Sequence, residues 1–100
     1  MSMTSGRAFE WDDDKATSNL AKHGIPFQYA TRVFLDPELV AFDASRAGDH
    51  EIRRKAVGMI EGRLFAVVYT DRAGICRIIS ARRANVKEFR AYGPVQPRPE

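Results

Sequence analysis

Only one cysteine, Cys76, occurs among the 100 residues, so no disulfide can close within the chain and no cysteine-based zinc motif can be built. Histidine is nearly as scarce, with His23 and His50 the only two. No apolar run approaches the ~20 residues that a membrane helix needs. The stretch from Met1 to Arg7 is short and polar and lacks the apolar segment of a signal peptide. These absences lead us to expect a soluble protein of a reducing intracellular compartment.

What is present describes an ordinary globular composition: 44% apolar residues, with ten aromatics counted from one Trp, three Tyr and six Phe. A chain this short is one domain, because neither half would retain a workable core. The net charge of +3 is a weak hint of an anionic partner, and its distribution says more. Between Phe34 and Glu51, the acids Asp36, Glu38, Asp43, Asp49 and Glu51 are offset only by Arg46, whereas between Ile75 and Tyr92, the cations Arg77, Arg82, Arg83, Lys87 and Arg90 are offset only by Glu88. The cations gather in the C-terminal third, as either a binding surface or a solvated face.

Local signals divide the chain. After the apolar opening Phe9–Trp11, the acids Asp12, Asp13 and Asp14 suit a helix start, running to about His23 and stopping at Gly24. Pro26 can open a second helix through about Phe34, with Phe27, Ala30, Val33 and Phe34 on one face, and Asp36-Pro37 ends it. The period then changes. Leu39–Phe42 reads as a short strand, Ala44–Asp49 as a polar loop, and Ile52–Ile60 and Leu64–Thr70 as strands joined at Glu61-Gly62-Arg63. A turn at Asp71–Gly74 leads into Ile75–Ser80, and Ala84–Tyr92 closes as a helix with Val86, Phe89 and Tyr92 along one side. The fold expected is α+β: two N-terminal helices packed on an antiparallel sheet of about four strands, with a C-terminal helix. Residues 1–8 are expected to be flexible, 9–92 to form the domain, and the Pro-rich stretch 93–100 to be a disordered tail. The second sheet face, open and cationic, would offer a place for a single strand of nucleic acid.

Several segments together resemble one family. Phe9-Glu10-Trp11-Asp12, Lys15, Asn19, Lys22-His23-Gly24, Phe27 and Ala30 look like the N-terminal signature of the BrnT toxins. Val67–Thr70 and Arg77–Ala84 resemble its C-terminal signature, in the same order. The resemblance covers about residues 9 to 92. It implies a RelE-like fold, a bacterial type II toxin that arrests growth by cleaving RNA, and neutralisation by a BrnA-like antitoxin with a ribbon-helix-helix DNA-binding domain. It implies contact with DNA only through that antitoxin, and no cofactor or metal is expected.

Metal-free RNA cleavage needs a base for the 2′-hydroxyl, an acid for the departing 5′-oxygen, and cations around the phosphorane. Two histidines are too few for a convincing paired-histidine site, and the RelE-like resemblance points to Arg, Lys and Tyr instead. Arg77, flanked by Ile75 and Ile79, either binds the scissile phosphate with its planar fork or pairs with a neighbouring acid. Arg82 and Arg83 are read at the start of the last helix, where free amides favour anions. Arg83, Lys87 and Arg90 then form a stripe, RNA-binding or merely solvated. Lys15, Asn19 and Lys22 share a face of the first helix, either an RNA-facing edge or its exposed side. His23 is a candidate general base or a helix-end residue meeting terminal carbonyls. Tyr69 is a candidate for base stacking or proton donation, or else a cross-strand aromatic. Trp11, the phenylalanines and Cys76 read as packing. The alternative to a nuclease is a non-catalytic RNA- or protein-binding module of the same fold.

Overall fold

In a computed structural model, residues 8–48 and 50–93 are described. The expected N-terminal segment apart from Ala8, and the expected tail apart from Gly93, lie outside them. The strands are β1 (Ala8–Trp11), β2 (Val40–Asp43), β3 (Arg54–Ile60), β4 (Arg63–Arg72) and β5 (Ile75–Arg83). The helices are α1 (Asp13–His23), α2 (Phe27–Ala30), which continues as a 3-10 turn over Thr31–Leu35, and α3 (Val86–Tyr92). The sheet order is β1-β5-β4-β3-β2, with β1 parallel to β5 and every other pair antiparallel.

The α+β class is as expected, and the layout is corrected. The sheet has five strands and is mixed, because the apolar opening is itself a strand whose Phe9 pairs with Cys76 and Trp11 with Ile78. Four residues are too few to show a period, and a parallel partner so far along the chain leaves no local signal. The second helix is shorter than expected, its later half tightening into 3-10 geometry before Asp36. The last strand is longer. Arg82 pairs with Ala66 and Arg83 with Phe65, so both arginines end a strand and neither begins a helix.

The helices α1 and α2 cover one face of the sheet. Ile25, Phe27, Ala30 and Val33 pack there against Ala56, Phe65, Val67, Tyr69, Cys76 and Ile78. The 3-10 turn approaches so closely that a Cβ on Gly58 would lie 2.9 Å from the Val33 carbonyl oxygen, so only glycine fits. On the opposite face, Tyr92 of α3 packs with Val57, Leu64 and Ala66. Phe89 and Val86 do not join it: they are 59% and 64% exposed, against the reading of the phenylalanines as core. The β3–β4 hairpin turns at Glu61-Gly62, both at positive φ (52° and 82°), the backbone hand of a two-residue hairpin loop.

One irregularity sets what each face of β5 carries. Val68 stands opposite Ser80 and Tyr69 opposite Ile78, which leaves Ile79 as an extra residue in a β-bulge. Before the bulge Cys76 and Ile78 face the helices; after it, Ala81 and Arg83 do. No helix among the described residues is long and apolar enough to cross a membrane.

Candidate functional site

Helix α1 is anchored at both ends as its sequence suggests. The Asp12 carboxylate accepts from the Lys15 amide at 3.0 Å, and Gly24, at φ 73°, donates its N–H to the Leu20 carbonyl at 2.8 Å. That left-handed residue sends Ile25 into the core and leaves the preceding His23 exposed on the rim.

Beyond Trp11 the parallel partner of β5 ends, which would expose its backbone edge. Asn19, only 6% exposed, takes over. Its Nδ2 donates to the Ala81 carbonyl at 2.8 Å and to the Ile25 carbonyl at 3.3 Å, while its Oδ1 accepts from the Ala81 N–H at 3.1 Å. The side chain thus stands in for a strand residue. It also fastens the helix that carries His23 to the strand that carries Arg83.

Two cavities flank this junction, and His23 lines both. The larger, about 570 Å³, is a groove between α1 and β5 lined by Asp12, Asp14, Lys15, Ser18, Asn19, Lys22, His23, Arg77, Ile79 and Ser80. Five residues singled out in the sequence therefore share one groove: Lys15, Asn19, Lys22, His23 and Arg77. The smaller, about 390 Å³, is lined by His23, Gly24, Ile25, Pro26, Tyr29, Arg63, Phe65 and Arg83. Among the described residues no carboxylate lines it. The Arg83 guanidinium stands 5.7 Å from the centre of the Phe65 ring, and the Tyr29 ring meets Phe65 edge-on at 5.7 Å. Among the described residues neither Arg63 nor Arg83 has an ion-pair partner.

The remaining candidates are placed elsewhere. Tyr69 is 5% exposed, its ring edge-on to Phe34 at 5.1 Å, so it is a core aromatic out of reach of a bound strand. Arg82 lies on the α3 face, where Nη1 and Nη2 donate to the Glu88 carboxylate at 2.8 and 2.7 Å. Lys55 joins at 2.7 Å, and the Asn85 N–H donates to the same carboxylate at 2.9 Å. Burial pushes the Glu88 carboxyl upward, yet these donors outweigh it and hold its pKa at about 2. Arg77 pairs with Glu10 at 3.2 Å. The stripe of Arg83, Lys87 and Arg90 is not a stripe: Arg83 is on β5, and the other two are exposed on α3, which packs on the other face. The open cationic sheet face is likewise corrected, since Lys55, Arg77 and Arg82 there are all ion-paired.

Sequence reading missed Tyr29 and Arg63. Tyr29 falls off the apolar face of its helix, and Arg63 was noticed only as part of a turn; neither shows alone that the hairpin tip comes down beside α2. The Tyr29 hydroxyl donates to Glu61 at 2.7 Å, and that hydrogen bond raises its pKa. Among the described residues no three His, Cys, Asp or Glu side chains gather so as to hold a metal ion.

Fold and cavity together define a small basic α+β domain with an arginine-lined, aromatic-walled recess. Residues 11–88 match the family described as "Ribonuclease toxin, BrnT, of type II toxin-antitoxin system". The chain belongs to this family, which bears out the resemblance drawn from its motifs; at family level it is a toxin with an RNA substrate and an antitoxin partner. No curated protein matches it in sequence.

Proposed function

We propose that this chain is a cytoplasmic, metal-independent endoribonuclease that arrests growth and is neutralised by a BrnA-like antitoxin with a ribbon-helix-helix domain. The observation that carries this reading is the position of His23 between the groove holding Lys15 and Lys22 and the recess holding unpaired Arg83. His23 takes the proton from a 2′-hydroxyl, the 2′-oxygen attacks phosphorus, and the bond to the 5′-oxygen breaks as that oxygen takes a proton from solvent water. Arg83 stabilises the charge that builds on the phosphorane, with a planar fork matched to two of its oxygens. Lys15 and Lys22, with Arg77 at the far wall, carry the neighbouring phosphates. The products are a 2′,3′-cyclic phosphate and a 5′-hydroxyl. The antitoxin neutralises most simply by covering this surface.

The test is induced expression of the wild type, His23→Ala and Arg83→Ala in bacteria, with primer extension on cellular RNA, and purified protein assayed in chelator. Growth arrest and discrete cuts, retained in chelator and lost in both folded variants, are expected. No arrest and intact RNA from folded, antitoxin-free protein would favour a non-catalytic binding module. That second reading draws on Val86 and Phe89, which leave an apolar cavity of about 410 Å³ on α3 exposed.

A further inference from the structure

The two cavities beside His23 differ in kind. The groove along α1 carries both signs of charge, as suits a track for a solvated sugar–phosphate backbone. The recess has an apolar floor at Ile25 and Pro26, aromatic walls at Tyr29 and Phe65, and two guanidiniums. A phosphate would gain nothing from the rings; a flat, polar-edged group would use all of it.

We infer that this recess is a nucleobase pocket that selects keto bases, guanine ahead of uracil, at the nucleotide next to the cleaved bond. The inference rests on the ribonuclease reading for the position of that bond. Its selectivity follows from an imbalance of donors and acceptors. Arg63 offers only donors, and among the described residues no carboxylate occupies it, while Arg83, its fork turned to the phosphorane, lends the base its plane. Several acceptors nearby already carry a donor: the Ile25 carbonyl takes Asn19 Nδ2 at 3.3 Å, the Pro26 carbonyl takes the Ala30 N–H at 3.1 Å, and Glu61 takes the Tyr29 hydroxyl at 2.7 Å. Adenine and cytosine put an exocyclic amine, a donor, where guanine and uracil put O6 and O4. That amine would meet the guanidiniums without a partner, whereas guanine's own amine lies on the far edge, toward solvent. Guanine presents O6 and N7 side by side, the pair of acceptors that one arginine fork bridges, and uracil presents carbonyl oxygens singly. In single-stranded RNA these edges are open to a side chain, and the Arg83 plane, already stacked toward Phe65, has a second face on which a base can lie. Tyr29 and Arg63 are then specificity residues, set on α2 and on the hairpin tip.

Two measurements on the full chain test this. In the first, a randomised RNA is cleaved and the cut sites are sequenced. Guanine, then uracil, should be enriched at one position flanking the cut, and Arg63→Gln should flatten that position. In the second, the protein is titrated with hexamers of 2′-deoxy chemistry, which cannot be cut, differing only in one central base. The guanine hexamer should bind about ten-fold more tightly than the adenine one, a difference lost in Arg63→Gln. Arg63 is exposed at a turn without an ion pair, so the variant should fold, and circular dichroism checks it. Equal binding of both hexamers by the wild type, or a preference that survives Arg63→Gln, overturns the pocket even if RNA is cleaved. A guanine preference lost in Arg63→Gln from a protein that cuts no RNA supports the pocket and overturns the nuclease reading instead.

Discussion

On the α3 face of the sheet, Arg82 and Lys55 spend their charge on Glu88; on the face covered by α1 and α2, Arg83 and Arg63 meet no carboxylate among the described residues. Arg82 and Arg83 are adjacent, and their surroundings assign them opposite work. A desolvated cation with an acid beside it holds structure together, whereas a cation without one still has its donors to give to a ligand. Charge density along a sequence does not distinguish these cases. Of the five cations between Ile75 and Tyr92, two are ion-paired, two ride on α3, and Arg83 alone enters the recess.

The comparison breaks most visibly through the paired arginines. Arg83→Ala should lower RNA cleavage about 10²–10³-fold with a melting temperature close to wild type. Arg82→Ala should do the reverse, destabilising by about 2 kcal/mol while the folded fraction still cuts. Equal losses of cleavage per folded molecule in both variants would erase the distinction. Asn19→Ala should weaken both properties at once, because Ala81 and Ile25 lose their partners: about 2 kcal/mol in denaturant melts, with cleavage falling as His23 and Arg83 lose their common anchor.

Glu88→Gln sharpens the comparison through pH. The carboxyl is held at about 2 in the folded chain against an ordinary 4.5, so its stabilisation is fully present above pH 4.5 and is lost as pH falls toward 2. The variant should be less stable at neutral pH by about 2 kcal/mol, a figure moderated because Arg82 and Lys55 are partly solvated. It should also lose the steep part of the acid melting curve in that window; an unchanged curve would show that other carboxylates govern it. The smallest effect is expected from Arg77→Ala. Its pair with Glu10 is partly exposed and is worth under about 1 kcal/mol, so a melt should barely move while the KM for RNA rises a few-fold.

Much of this was legible because it is local. Asp12 to Gly24 writes a helix with its cap, its acidic first turn and its stop, and the apolar run that ends at Ile60 before the Glu61-Gly62 turn writes a strand. The shared face of Lys15, Asn19 and Lys22 was also legible at helical spacing, though not that β5 closes a groove beside it. What failed depends on distant partners. A four-residue β1 shows no period and declares itself only by pairing with β5. Ala81-Arg82-Arg83-Ala84 has the composition of a helix start, and only the hydrogen bonds to β4 keep it extended. For Tyr69, alternation assigns a face without saying which face will be covered. Tyr29 and Arg63 meet only because the β3–β4 turn folds back beside α2.

The bulge at Ile79 has a further consequence. Side chains along a strand alternate, so everything after an extra residue is transposed. Were Ile79 instead paired with Val68 in a regular ladder, Arg82 would stand opposite Phe65 and Arg83 opposite Leu64 on the α3 face, with the list of arginines unchanged. The strand has a reading frame one residue wide, and the single extra residue decides which of two adjacent arginines enters the recess.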